Sequence, residues 1–292
     1  MMVLLFVIWS NSFTAIRHLR SIFTPMELIL ARFLPFGLFM IGWLAFSAKA
    51  RTEAAGMMRR SLWKILGMGL TGIAGYNYFL YLAQTEIKPG AAALITTLAP
   101  LMTLVLAIMI LKEKVPGRRI AGIGIALIGL YLVIRYGKVG MGVVTGTTDA
   151  GVKYALIAAL APLSWSFYTI IGKDLVRSSP PFLLTGISTA AGTIPFLFLL
   201  DPGFIAKVGA MQLSHWVALG HLTLLCTMFG FWMWNFALRH LPATSVSSFV
   251  YLNPPLAALF GFLFFGEEVT VYFLAGSAVV LLGLYLSQAR SQ

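Results

Sequence analysis

Apolar residues run along this chain in blocks of about 20, the length a membrane-crossing helix needs. The two-residue alternation of a half-buried strand and the narrow stripe of a surface helix are both missing. Ten blocks can be marked: Met2–Leu19, Pro25–Ser47, Ser61–Gln84, Gly90–Leu111, Arg119–Arg135, Gly151–Gly172, Pro181–Leu200, Trp216–Leu238, Ala243–Phe265 and Val271–Gln288. Each predicts a transmembrane helix, with the fifth and tenth spans on the short side for a hydrocarbon core of about 30 Å. The predicted fold class is an all-α integral membrane protein with ten transmembrane helices. Ala48–Arg60 and Tyr136–Gly151 are the sizeable polar connections. Met1–Ile16 lacks a basic leader and a small-residue cleavage site, so it reads as the first span and not as a signal peptide.

The blocks repeat. At a shift of 154 residues, Leu98, Pro100, Glu113 and Val115 fall on Leu252, Pro254, Glu267 and Val269. On the same shift Ala121, Gly122, Leu127, Gly129, Leu130, Tyr131 and Leu132 fall on Ala275, Gly276, Leu281, Gly283, Leu284, Tyr285 and Leu286, giving 11 identities in 35 positions. Earlier spans repeat more weakly: Trp9-Ser10 resembles Trp165-Ser166, Pro25 resembles Pro181, and Tyr78 and Ala83 match Trp232 and Ala237. The repeating unit is therefore five helices. An odd number forces the second copy to enter the membrane from the opposite side, so the halves are predicted to be inverted repeats: 1–136, a linking loop over 137–150, and 151–292. Inverted repeats are characteristic of secondary transporters, which bind substrate near the midplane between the halves.

Composition sharpens this picture. The chain is 59% hydrophobic and 10% charged, against about 25% charged in soluble domains, and its mean hydropathy is +0.90. The net charge of +12 would suggest nucleic acid in a soluble protein. Here the basic residues sit at helix ends with no contiguous basic patch, so a nucleic-acid partner is not expected. With the N-terminus inside, the inner loops hold Lys49, Arg51, Arg59, Arg60, Lys64, Lys112, Lys114, Arg118, Arg119, Lys173, Arg177, Arg239 and Arg290. The outer loops hold Arg17, Arg20, Lys88, Arg135, Lys138, Lys153 and Lys207. Thirteen against seven, with Arg32 completing the 21, places both termini in the cytoplasm by the positive-inside rule. Cys226 can form no intrachain disulfide, and the four histidines have no ligand spacing, so neither metal nor cofactor is expected.

The run Pro100, Leu-Lys-Glu-Lys-Val at 111–115, Gly122 and Gly129-Leu-Tyr-Leu resembles the EamA pattern of the drug/metabolite transporter superfamily. Pro254, Gly266-Glu267, Gly276 and Gly283-Leu-Tyr-Leu supply a second copy, and Ala31-Arg32-Phe33 and Trp9-Ser10-Asn11-Ser12-Phe13 are also similar to it. The second half carries no counterpart of Arg32. The resemblance covers the whole chain and implies ten helices in inverted repeats, a bacterial cell inner membrane, and export of metabolites, often amino acids.

Polar and aromatic side chains inside spans are the candidates for a pathway, since lipid exposure is costly for them. They are Trp9, Ser10, Asn11, Ser12, Tyr76, Asn77, Tyr78, Tyr81, Thr96 and Thr97 in the first half. The second half offers Trp165, Ser166, Tyr168, Trp232, Trp234, Asn235, Ser247, Ser248, Tyr251 and Asn253. As substrate-contacting residues the choice is Trp9, Asn11, Tyr78, Tyr81, Trp165, Tyr168, Trp232, Asn235 and Tyr251. Rings supply flat apolar contact with a polar handle and can hold an ammonium group; packing with hydrogen bonds to neighbouring helices is the alternative. Arg32, about eight residues inside the second span and the deepest charge, either meets a substrate carboxylate, forms a structural ion pair, or reaches the outer interface. Glu113 and Glu267 are expected to pair with basic residues of their own halves or to cap the next helix. Pro100 and Pro254 are candidate hinges.

The expected function is secondary transport of a small metabolite, amino acids first and aromatic ones favoured by the many rings, with facilitated diffusion, exchange and proton antiport all open. No G-x-x-x-x-G-K-[ST] motif occurs, which argues against ATP-driven pumping. An intramembrane lipid-modifying enzyme would need clustered acid–base or metal residues; the nine acidic residues are scattered at helix ends, so no enzyme is expected. Other metabolites or organic cations are the alternative cargo.

Overall fold

The computed structural model describes residues 1–86, 95–136, 149–253, 255–256, 259 and 271–288, and among these every regular element is a helix. α1 covers Met2–Leu19 with a break at Asn11. α2 is Pro25–Phe46. α3 runs Ala48–Met68, passes through a π-helical stretch Gly69–Gly75, and resumes as Tyr76–Ala83. α4 is Ala99–Met109, α5 Gly117–Tyr136 and α6 Asp149–Leu175. α7 is Pro181–Thr193, tightening into a 3₁₀ stretch Ile194–Leu199. After a short helix Pro202–Gly209, α8 runs Leu213–Gly220, a π-helical stretch His221–Phe229, then Gly230–His240. α9 is Ala243–Leu252 and α10 Val271–Gln288.

Five of these helices are long and apolar enough to cross a membrane on those grounds alone: Met2–Leu19, Pro25–Phe46, Leu156–Leu175, Pro181–Leu199 and Leu213–His240. Shorter apolar helices fill Ala99–Met109, Ala243–Leu252 and Leu274–Ser287. The polar connection expected at Ala48–Arg60 is helical. It is rich in Ala, Arg and Met, all good helix formers, and Ser61 (φ −144°, ψ 25°) breaks the helix where the third apolar block begins.

The packing of α5 against α10 displays the inverted relation of the halves. A Cβ on Gly122 would lie 2.6 Å from the Gly283 carbonyl, and one on Gly129 would lie 2.8 Å from the Gly276 carbonyl. In the repeat Gly122 is equivalent to Gly276, and Gly129 to Gly283. The two contacts are therefore the same contact seen twice, and the residue order makes the helices antiparallel. Small residues let the backbones approach this closely, which in lipid is a principal source of helix association.

The two π-helical stretches are a second mark of the repeat. At the 154-residue shift Gly69–Gly75 of α3 falls within His221–Phe229 of α8, and the two end at the same position. Each inserts residues relative to α-helical bonding and rotates the side chains beyond it by about 100° per residue added.

Candidate functional site

α1, α2, α3, α4, α6, α8 and α9 surround a cavity of about 560 Å³ counting its open mouth. Its aromatic wall is Phe6, Trp9, Tyr76, Trp165 and Phe231; its polar groups are Ser12, Arg32, Thr96 and Asn253; Phe13, Ile16, Leu80, Ala99 and Val250 complete the lining. Both halves contribute.

Trp165 is the centre of the ring cluster. Its centroid lies 5.5 Å from Trp9, 5.3 Å from Phe231, 5.1 Å from Tyr76 and 5.1 Å from Trp234. Tyr168 stacks behind it at 4.8 Å and 22°. Edge-to-face and tilted arrangements of this kind suit the ring quadrupoles. Trp9 is fixed by its indole N–H, which donates to the Cys226 carbonyl at 2.9 Å. Gly230 makes room for it, since a Cβ there would meet the Trp9 Nε1 at 2.5 Å.

Arg32 is 5% exposed and faces this cavity. Its Nε donates to Thr227 Oγ1 at 2.9 Å, and its Nη1 donates to Tyr81 Oη at 2.7 Å and to Asn77 Oδ1 at 3.3 Å. The guanidinium lies 4.8 Å from the Phe33 ring centre. The π-helical stretches aim its partners. Asn77 Nδ2 donates to the Gly72 and Ile73 carbonyls, turning Oδ1 toward Arg32, and Thr227 Oγ1 donates to the Leu222 carbonyl. Among the described residues no carboxylate pairs with Arg32. Glu27 is engaged elsewhere: it completes a capping box with Thr24 and pairs with Lys207 at 2.7 Å.

Of the side chains chosen from the sequence, Trp9, Trp165 and Arg32 line the cavity. Tyr81, Tyr168 and Asn235 are fully buried just behind it. Tyr81 holds Arg32, while Asn235 Nδ2 donates to Tyr168 Oη at 2.8 Å and Thr185 Oγ1 at 2.9 Å. Asn11 is exposed at the break in α1. Tyr78 packs on Phe79, and Trp232 packs on Phe229 and Phe236. Tyr251 sits in a separate apolar cluster with Leu104, Ile123, Ala126 and Val280. Pro100 stands in the first turn of α4, where its missing N–H costs nothing; Pro254 lies outside the described residues. Phe6, Phe13 and Phe231 were not among the candidates, because a search for polar handles passes over phenylalanine. Ser12, Tyr76, Thr96 and Asn253 belong to the wider polar and aromatic set offered by the sequence, outside the nine chosen as substrate-contacting.

The face carrying both chain ends closes by contacts between the halves. The Glu113 carboxylate accepts from the Ala243 N–H at 2.9 Å and the Thr244 N–H at 3.3 Å. It does cap a helix, but the helix is α9 of the other half and not the next one in its own. Lys112 (φ 50°) makes the turn that directs it there, and Pro242 at the N-cap of α9 offers no side-chain bond. Arg119 Nη1 donates to Thr244 Oγ1 at 2.9 Å and Lys64 pairs with Asp174 at 2.6 Å, both across the halves, while Lys173 Nζ ties α6 to the Leu238 and Leu241 carbonyls within the second half. Glu267 lies outside the described residues. At the opposite face His18 and His215 stack with centroids 4.5 Å apart, and Arg20 donates to the Gln84 carbonyl.

Several known proteins are similar to this chain along its length. An uncharacterized transporter of Archaeoglobus fulgidus is 27% identical, with 95% of this chain and 94% of that protein covered. A probable terminal-alkyne amino-acid exporter of Streptantibioticus cattleyicolor is 27% identical (99% and 93% covered), and a probable amino-acid metabolite efflux pump of Salmonella typhimurium is 24% identical (98% and 92%). A solved crystal structure shares the fold with a TM-score of 0.75 at 19% identity, covering 98% of this chain and 94% of that one. The model of the EamA-like transporter family matches twice, over residues 1–135 and 152–288; the chain, a multi-pass membrane protein of the drug/metabolite transporter type, belongs to that family.

Proposed function

We propose that this transporter exports small amphipathic metabolites, amino acids first among them, by alternating access between two repeats spanning 1–136 and 151–292. The observation that carries the reading is the aromatic cavity at the junction of the halves, with a buried charge on its wall. Flat rings suit an apolar side chain, and the polar groups suit the two ends of a zwitterion. The relatives named as amino-acid exporters support the same class. Glu113 and the groups around it close the face of the chain ends, so the cavity belongs to a conformation shut on that side. The excess of Lys and Arg in the loops there supports a cytoplasmic position for that face.

Counterflow tests this. Proteoliposomes are loaded with one unlabelled amino acid (phenylalanine, tryptophan, threonine, methionine or cysteine), and labelled amino acid is added outside. Saturable, trans-stimulated uptake above empty-lipid controls is expected, with phenylalanine and tryptophan ranking high. Absence of uptake for every amino acid, in liposomes that contain folded protein, refutes the amino-acid class. Sugars and organic cations then become the cargo to test.

A further inference from the structure

We propose that Arg32 anchors a carboxylate on the substrate, so that an acidic group is a requirement for binding in this cavity. This rests on the transport reading of the same cavity and adds the chemical group it selects.

A buried charge without a partner is costly and persists where something repays it. Arg32 is 5% exposed, so it does not reach out to water. Every group that holds it is a neutral acceptor: a hydroxyl, an amide oxygen and a phenol oxygen. These orient the guanidinium without neutralising it. A guanidinium carries five N–H donors. These bonds engage Nε and Nη1, and among the described residues Nη2 makes none, which leaves two donors for a ligand. The fork geometry of arginine matches a carboxylate better than any other common anion on a small metabolite except a phosphate.

A second polar group points to the other end of the ligand. Asn253 is 7% exposed and lines the cavity. Its Oδ1 is buried with no hydrogen-bond partner among the described residues. An acceptor in that position suits an ammonium or amide N–H. A zwitterion would set its carboxylate on Arg32, its ammonium toward Asn253, and its side chain against Trp9, Trp165 and Phe231. An amine without the carboxylate would bring a second positive charge to a site that already holds one.

The test is binding to the purified full chain in detergent, read by quenching of its own tryptophan fluorescence. Four probes share one ring: phenylalanine, 3-phenylpropionate, phenethylamine and phenylalaninamide. The wild type is expected to bind the two carboxylates at least roughly 10-fold more tightly than the amine and the amide, from the strength of charge-assisted hydrogen bonds. Arg32→Gln is expected to erase that preference while phenethylamine binding survives, which also shows that the variant is folded. Arg32→Lys should keep part of the preference. If Arg32→Gln fails to fold, the wild-type ranking and Arg32→Lys still decide. Equal binding of carboxylates and amide by the wild type, or an unchanged preference in Arg32→Gln, overturns the anchor and leaves the cavity's transport role standing. Binding of none of the four by folded protein overturns the aromatic amino-acid reading and the anchor together.

Discussion

Replacing Glu113 by alanine removes both hydrogen bonds that join the end of α4 to the start of α9. Helix Ala243–Ser248 has no side-chain cap of its own, so its first N–H groups return to water or stay unpaired. Loss of a capping acceptor costs about 0.5–2 kcal/mol, and loss of a negative charge at a helix N-terminus about 0.3–1 kcal/mol. Glu113 is half-buried, so screening trims these, and a sum of about 1–2 kcal/mol is reasonable. If the contact exists only while the face of the chain ends is closed, that energy moves the closed-to-open ratio by roughly 5–30-fold. The assay uses Thr103→Cys in a Cys226→Ser background. Thr103 is buried, donates to Ser166 Oγ, and stands along the chain between the cavity-lining Ala99 and Glu113. Its reaction with a polar maleimide should speed up by that factor in Glu113→Ala, with Glu113→Gln between the two because it keeps one acceptor. An unchanged labelling rate together with lowered thermal stability would show Glu113 to be a static cap, and the gating argument would be wrong.

Two further outcomes follow from the packing. Trp9→Phe keeps a ring in the cavity but leaves the Cys226 carbonyl without its donor, a loss of about 0.5–1.5 kcal/mol; ligand affinity should weaken about 2–10-fold in fluorescence titration, and wild-type affinity would show that the indole bond does not position the wall. Gly129→Ala would press a Cβ to 2.6 Å from the Val280 nitrogen, and backbone cannot yield as a side-chain tip can, so α5 and α10 must part at about 1–3 kcal/mol. The melting temperature should fall by roughly 3–10 °C while counterflow per folded molecule persists, because neither helix lines the cavity; an unaltered melting temperature would refute the close-contact account.

The spans were legible because hydropathy over about 20 residues is a strong signal in lipid. The same signal is blind to polar helices, which is why Ala48–Arg60 read as a connection. Phase was harder. Tyr78 and Trp232 are equivalent residues, and both are candidates on the strength of being aromatic inside a span, which carries no information on the face they present. The π-helical stretches before them rotate each helix, and Tyr76 and Phe231 face the cavity instead. Nothing in Gly69–Gly75 announces a π-turn, since those glycines serve equally for close packing. Glu113 was read against its own half because neighbours in sequence are the partners a sequence offers. Its real partner is 130 residues away, reached through a left-handed turn at Lys112 that no lysine advertises.

Scaffold and chemistry divide differently between the halves. The helices that pack, the glycines that let them, and the glutamates at 113 and 267 all occur twice. Arg32 occurs once. At the shift that aligns Pro25 with Pro181, its equivalent is Ser188, whose hydroxyl donates to the Thr185 carbonyl. Tyr81, which holds Arg32, is equivalent to Asn235, which holds Thr185 and Tyr168 in a wholly neutral network. The proposed alternating access requires both faces to close about equally well, which a duplicated scaffold suits. A duplicated charge would work against recognition, since two equivalent cations would let a zwitterion bind in either of two directions. A single cation on α2, clasped by α3 and α8, gives the carboxylate one place. In the proposed transport cycle Thr227, from the other half, is the member of that clasp that can part from Arg32 as the halves move, while Asn77 and Tyr81 of its own half keep the guanidinium aimed at the ligand.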